Sequence, residues 1–445
     1  MTIAAAKKKP AARELALAVV RDVFGPEARG AQASFDAHVR RTDLDARDRA
    51  FAAELAYGAV KWRRLLDWYL APYLAGRAKK LPEAIGEILR LGAYQIRLMD
   101  GVDAHAAVFE TVNLALRHGH RGTAGLVNAI LRRLIADAPP EPLRADFEHS
   151  DDYLGTAHSL PTWLAAHLAK TFGEQLDAVL TGVNDAPQRA LRVNRLRATH
   201  DEVAAELASG GALVQPSDLV AETLILTGGY ASDDPDGRWS LQGESACVPV
   251  DLLDPQPGES LVELCSGRGN KSVQIAARMS NAGTLTCVEI EPRKLRVLRE
   301  NLERCGVTCA SVVGADARTV ELAAVDAVLL DAPCSAIGLI GRHPEARWRK
   351  SPDDGARLGP LQSELLAAAA DRVKPAGRLV YSVCSTDPRE GREVVRAFLD
   401  ANPAFGRAEH SARYRPFETA DGDLLIPPGV AGRDGFFVAR LKRVA

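Results

Sequence analysis

The chain has 445 residues, 47% of them hydrophobic and 26% charged, a balance that excludes disordered, collagen-like and membrane-embedded classes. At about 100 to 200 residues per domain it is long enough for roughly two to four cores. The net charge of −2 hides a polarity: residues 1–140 hold 22 Lys and Arg against 15 Asp and Glu, a balance of +7, while the remainder stands at −9.

A basic module that grips a polyanion, joined to an acidic module with another task, would carry this distribution. No apolar run approaches the ~18 residues that span a bilayer. The Lys7-Lys-Lys9 cluster has no apolar segment behind it and reads as a solvated tail, so a cytoplasmic protein with no membrane association is expected. All seven cysteines lie between Cys247 and Cys384. An odd, clustered set suits reduced or catalytic thiols better than a disulfide framework.

Residues 11–138 read as helix throughout. Leu15, Val19 and Val23 recur with Ala18 on one stripe, followed by Phe51, Leu55 and Val60; Leu65, Trp68 and Tyr69; Ile85, Ile88, Leu89 and Ile96; and Leu126, Ile130, Leu131 and Leu134. This predicts an all-α bundle ending at a linker, where Pro139, Pro140 and Pro142 lack amide donors. Residues 160–183 form another amphipathic helix. The period then changes: a strand at 190–194, a helix capped by Thr199 and Glu202 and running to about Ser209, and a strand at 219–226 make a small α+β, βαβ-like connector over residues 156–230. From residue 240 to 445 short apolar strands alternate with helical stretches. Strands at 260–265, 285–289, 309–313, 327–331, 379–384 and 436–441 predict an α/β domain with a parallel sheet covered on both faces.

In such a sheet, ligands bind outside the carboxyl ends of the strands. The polar residues crowd there: Glu263 to Lys271 after the first strand, Glu289 ending the second, Asp316 after the third, Asp331 ending the fourth and Cys384 ending the fifth. The loop Cys265, Ser266, Gly267, Arg268, Gly269, Asn270, Lys271 sets glycines where backbone must approach a ligand before a helix begins. Glu289 follows Gly269 by 20 residues and can accept two ribose hydroxyls. A dinucleotide fingerprint needs glycine where Ser272 stands, so NAD is disfavoured. A single adenosyl ligand such as S-adenosylmethionine fits, with Asp316 at its adenine edge.

Asp331-Ala-Pro-Cys-Ser-Ala-Ile-Gly338 ends one strand with an acid and a thiol, and Cys384 ends its neighbour. A lone cysteine is usually a small buried hydrophobe, but two at adjacent strand ends beside an aspartate reverse that reading. Cysteine chemistry on a nucleobase gives the set a purpose. A thiolate adding to carbon 6 of cytosine turns carbon 5 into a nucleophile, an acid at ring N3 stabilises the charge, and a second thiol assists release. His105 and His118 read as ordinary core or surface residues, and no Cys/His spacing suits zinc, so no metal is expected. Arg342, His343 and residues 347–350 are expected to clamp RNA phosphates rather than cover a loop.

These motifs, with Arg342-His-Pro344, Trp348, Leu361-Gln362, Val380-Tyr381, Cys384-Ser385 and Asp434-Gly-Phe-Phe437 in order and spacing, resemble the Sun/RsmB-type 16S ribosomal RNA cytosine-5 methyltransferases. The helical part, with Asp103-Ala-His-Ala-Ala107, Glu110-Thr-Val112 and Gly125-Leu-Val-Asn128 before Leu131-Arg-Arg133, is similar to the NusB-like RNA-binding domain that precedes that enzyme. The resemblance implies a Rossmann-like S-adenosylmethionine-dependent methyltransferase domain that makes 5-methylcytosine in ribosomal RNA. It implies Cys384 as nucleophile, Cys334 as the thiol that helps release product, Asp331 on the cytosine, and Cys265 to Lys271, Glu289, Asp316 and Asp331 around the cofactor. A monomer is expected. The first loop departs from the family's usual Asp-x-Cys-Ala-Ala-Pro-Gly-Gly-Lys: it reads Glu263-Leu-Cys-Ser-Gly-Arg-Gly-Asn-Lys271. The alternative from another class is a non-catalytic RNA-binding or antitermination-type factor with a decayed methyltransferase domain. Amino-group methylation is a weaker rival, because that chemistry usually sets an aromatic where Cys334 stands.

Overall fold

The computed structural model describes residues 12–74 and 81–444, so the Lys7-Lys-Lys9 tail lies outside the described residues. The chain divides into two compact units, Met1–Lys170 with His343–Arg349, and Thr171–Arg342 with Lys350–Ala445.

In the first unit, helices Ala12–Phe24, Ala31–Val39, Ala46–Lys61, Arg63–Leu74, Glu83–Arg97, Ala104–His118 and Arg121–Asp137 pack around one core. Leu15, Val19, Leu55, Val60, Tyr69, Ile88, Leu131 and Leu134 share one core. In the first helix the buried stripe is completed by Ala16 and Val20, whereas Ala18 is only half-buried. Asp45 and Asp103 begin two helices by accepting the amides of Asp48 and Ala106, both at 2.8 Å, which satisfies donors that a helix start leaves without partners. His118 is a surface partner of Glu14 at 2.6 Å.

The segment His343–Arg349 folds with these helices. Its donors go to carbonyls in last helical turns, which have no partner of their own: the Trp348 indole N–H to Val60 O at 2.7 Å and the Arg349 guanidinium to Val23 O at 2.7 Å. Glu345 accepts the Ala31 amide at 3.0 Å, at the start of a helix whose own cap is a glycine. Arg347 is fully buried and donates to Ser159 O at 3.2 Å. The expected phosphate clamp is therefore corrected at Arg347 and Arg349, whose guanidinium groups close helix ends. Arg342, in the second unit, is held by Asp434 at 3.0 Å.

The boundary between the units, at Lys170 and Thr171, falls within a broken helix. Thr162–Phe172 and Leu176–Gly182 are separated by a tight turn at Gly173, whose φ of +44° the α-helix cannot carry, so the single helix expected over 160–183 is two. Four strands follow: β1 Arg189–Val193, β2 Leu213–Pro216, β3 Thr223–Gly228 and β4 Trp239–Leu241. They pair antiparallel in the order β2-β3-β1-β4. The helix His200–Ser209 starts with the expected box, Thr199 accepting the Glu202 amide and Glu202 accepting the Thr199 amide. The expected βαβ-like order is present in split form: β3 is antiparallel to both β1 and β2, so β1 and β2 run parallel with the helix His200–Ser209 between them in sequence, and β2 is the strand missing from the expected set. β3 also starts at Thr223, later than the expected 219.

The large sheet comprises β5 Ser260–Leu264, β6 Thr284–Glu289, β7 Ala310–Gly314, β8 Val325–Asp331, β9 Val373–Val383, β10 Phe405–Arg407, β11 Leu424–Ile426 and β12 Phe436–Arg443, ordered β10-β12-β9-β8-β5-β6-β7 with β11 on β12. β9, β8, β5, β6 and β7 run parallel. β12 runs antiparallel to β9, so the sheet is mixed and the wholly parallel expectation is corrected. The chain reaches β12 through turns and the short β11 rather than through a crossover helix, and such a connection returns antiparallel. Leu261 of β5 packs into one core and Val262 and Leu264 into another, so both faces are covered. Among the described residues no helix is long and apolar enough to cross a membrane.

Glu263 lies on the Leu261 face, buried, with the Ser272 hydroxyl donating to its carboxylate. Burial pushes its carboxyl up to about 7, while the Ser272 hydroxyl and the Lys271 ammonium pull the other way. The folded state thus favours the proton. The associated stability is complete below the ordinary glutamate value of about 4.3 and is lost as pH rises through about 7. Glu263→Gln keeps the neutral shape at every pH. Its melting temperature should match wild type near pH 5 and exceed it near pH 8; parallel melting curves at both pH values would refute this account of Glu263.

Candidate active site

The five parallel strands end on one side of the sheet, and pairing decides which ends meet. Asp331 of β8 pairs with Ser382 of β9. Three residues past the first and two past the second, Cys334 and Cys384 stand with their sulfurs 3.2 Å apart. The Cys384 thiol first, and then burial, hold Cys334 well above the ordinary thiol value. Asp331 takes a hydrogen bond from the Ser382 hydroxyl at 2.7 Å on one oxygen and the Lys271 ammonium at 2.6 Å on the other. Burial disfavours the Lys271 charge, but Asp331 outweighs it and the ammonium is held above its ordinary range.

The loop after β5 turns through left-handed backbone at Cys265, Gly267 and Gly269, with φ of 59°, 59° and 86°. At Gly269 a side chain is excluded twice over, by that angle and because a Cβ would lie 2.5 Å from Leu298 Cδ1. The turn exposes backbone amides at the start of helix Asn270–Arg278. Glu289 is buried at the end of β6 and accepts the amides of Gly267, Ile290 and Glu291 at 2.8, 2.9 and 2.9 Å. A carboxylate offers about four acceptor sites, so one direction stays open toward a ligand hydroxyl. Hydrogen bonds from Arg318 hold Asp316 below the usual carboxylate range.

A cavity of about 180 Å³ lies between these strand ends, lined by Cys265, Glu289, Ile290, Asp316, Pro333 and Leu361 among others. Apolar walls with acids at two strand ends fit the adenosyl part of S-adenosylmethionine, the ring between hydrophobic side chains and the hydroxyl and amino donors toward carboxylates. Cys265, Glu289 and Asp316 line this cavity. Lys271 and Asp331 instead pair beside the two thiols. Ser266 turns its hydroxyl to Glu263 O at 3.0 Å, while Arg268 and Asn270 are exposed.

Sequence reasoning missed the support beneath the thiols. Ser382 orients Asp331, and Ser335 and Ser385, each next to a cysteine, both donate to the fully buried Glu390. The one available signal was an acid five residues beyond Ser385 after an Asp-Pro turn, which reads as surface. Among the described residues, no cluster of three or more His, Cys, Asp or Glu could hold a metal ion.

Three family matches tile the chain: NusB over residues 10–136, the RsmF/B-like ferredoxin-like domain over 160–233, and the 16S rRNA methyltransferase RsmB/F over 250–442. The ribosomal RNA small subunit methyltransferase B of Thermus thermophilus is 34% identical over 440 residues, 97% of this chain and 98% of that one. Its namesake in Pseudomonas putida is 32% identical over 414 residues, 90% and 92% of the two chains. The crystal structure of PH0851 covers 98% of this chain and 100% of its own at a TM-score of 0.81 and 25% identity. With a thiol pair and a cavity lined by two acids at the ends of adjoining strands and with relatives along nearly its whole length, the chain belongs to the RsmB/F family of S-adenosylmethionine-dependent methyltransferases.

Proposed function

We propose that the protein methylates carbon 5 of a cytosine in the RNA of the small ribosomal subunit, through a covalent adduct between Cys384 and carbon 6 of the base. The observation that carries this reading is the 3.2 Å contact of Cys334 and Cys384 beside Asp331. Amino-group methylation has no use for paired thiols, whereas cytosine C5 chemistry needs one sulfur to attack and a second group to manage the proton.

S-adenosylmethionine would be held by the turn that begins at Cys265, with Glu289 and Asp316, and would supply an electrophilic methyl group. The Cys384 thiolate adds to carbon 6 and drives electron density to carbon 5, which takes the methyl. Asp331 contacts the polar edge of the base, and its Lys271 partner offsets the carboxylate charge. Release requires the carbon 5 proton to leave and the C–S bond to break. Cys334 passes its proton across the sulfur contact to the departing Cys384 sulfur, and the strongly basic thiolate this leaves takes the carbon 5 proton in its place. Both cysteines end as thiols, and ionisation of Cys384 restores the starting state.

Residues 11–138 and the connector at 156–230 would hold RNA, with chemistry confined to 240–445, in a monomeric cytoplasmic enzyme. The base must leave its stack to reach Cys384, which favours a loop or bulge as target. The decayed-domain alternative has against it a thiol pair, a paired aspartate and a formed cofactor cavity in one place.

Bisulfite sequencing of ribosomal RNA from cells with and without the protein should reveal one protected cytosine lost on deletion; identical maps would overturn the proposal. Cys384→Ala should lower methyl transfer by at least about a thousandfold while leaving the melting temperature near wild type, and robust turnover would reassign the nucleophile. Cys334→Ala should accumulate an enzyme–RNA adduct stable on denaturing gels. Absence of that adduct would remove Cys334 from the release step.

A further inference from the structure

Beneath the two thiols lies a carboxylate that the reaction as written does not use. Glu390 is fully buried, as are Ser385 and Gln362, and Ser335 is nearly so. Its Oε1 accepts the Ser335 amide at 2.7 Å and the Gln362 side-chain amide at 3.2 Å, and its Oε2 accepts the hydroxyls of both Ser335 and Ser385. Its backbone carbonyl takes the Tyr381 hydroxyl. Gln362 is itself tied to Pro333 O at 2.9 Å, the residue before Cys334.

Every one of these side-chain donors is neutral. A buried carboxylate without a counter-charge is costly and persists only where its lone pairs are filled, and here the filling comes from the residues that follow each cysteine. The two loops are thereby stapled at a point one residue from each sulfur.

We propose that Glu390 is a positioning residue of the methyltransferase: it joins the Cys334 loop to the Cys384 loop and sets the sulfur–sulfur contact. This rests on the covalent-adduct reading given above and deepens it. The groups facing Cys334 are Cys384, Glu390 and Asp331, with Tyr381 close by and Lys271 on the far side of Asp331. Three of these bear or can bear negative charge, and each adds to the rise of the Cys334 thiol. The carboxylate thus helps assign roles to two chemically identical side chains, keeping Cys334 the proton carrier and leaving Cys384 free to attack. Ser335 and Ser385 act through the same staple, because losing either hydroxyl leaves Oε2 with a single donor.

The test uses the full-length enzyme and its substrate RNA, with Cys334→Ala run in parallel. Glu390→Gln keeps the size of the side chain but turns an amide donor toward groups that themselves donate. Its kcat should fall roughly ten- to a hundredfold, with KM for RNA and for S-adenosylmethionine within about twofold, and it should accumulate the denaturation-stable adduct seen with Cys334→Ala. Iodoacetamide labelling resolved by peptide should show the Cys334 alkylation profile moved to lower pH, a readout that a merely structural side chain would leave unmoved. If Cys334→Ala traps the adduct while Glu390→Gln keeps wild-type turnover, or loses melting temperature with no change in the alkylation profile, the inference falls and the adduct reading stands. If neither variant traps an adduct, both fall. Should Glu390→Gln not fold, Ser385→Ala must show the same pattern at smaller amplitude, and its failure to do so overturns the inference.

Discussion

The pairing of β8 with β9 is the constraint on which the site depends. Parallel strands buried on both faces have their register set by the alternation of side chains, and a slip of one residue would exchange the faces of a whole strand. With Asp331 opposite Ser382, the two loops leave the sheet side by side, and everything chemical follows from that alignment. The aspartate is oriented by a hydroxyl from the next strand, the sulfurs meet, and the serines behind them reach a common carboxylate. No long-range device is needed to assemble the dithiol, because the sheet has already brought its parts to one edge.

The charges are arranged as economically as the backbone. Lys271 and Asp331 neutralise one another beside the sulfurs, so the site presents hydrogen-bonding direction without a large net field. Glu289 is satisfied by three amides of the turns around it rather than by a cation, which leaves its free direction for a hydroxyl donor. Glu263, at the root of the same loop, sits where burial favours the neutral carboxyl and a serine hydroxyl donates to it. Three acids within one loop system thus have three environments, and each environment is dictated by the donors that reach it.

Much of this was legible in the residues. Apolar runs of five to eight residues marked the parallel strands to within a residue or two at their chemical ends, because a strand buried on both faces has little choice of composition. The thiol pair and the aspartate were legible for the same reason, since reactive residues at such ends have few structural excuses. The direction of β12 was not, because its apolar pattern is the same whichever way the strand runs, and only the connection before it decides. Gly173 hid inside a helical stripe that continues on both sides of it. The arginines around residue 347 misled because charge at the surface and charge capping a helix look alike in one dimension. Glu390 was silent for a related reason, as a lone acid after a turn carries no period.

The segment His343–Arg349 bears on how the polypeptide can be made. It is encoded about 200 residues after the last helix of the bundle it completes, which ends at Asp137, inside a stretch that otherwise folds into the second unit. During translation at about 5 to 20 residues per second, the helical bundle would wait roughly ten to forty seconds for Trp348 and Glu345 to emerge. A nascent chain arrested before that point displays carbonyls of Val23 and Val60 that the finished protein covers. A gene split at the proline run would leave the helical product without the segment that closes it, so co-expression of the halves is a different undertaking from expression of the helical half alone.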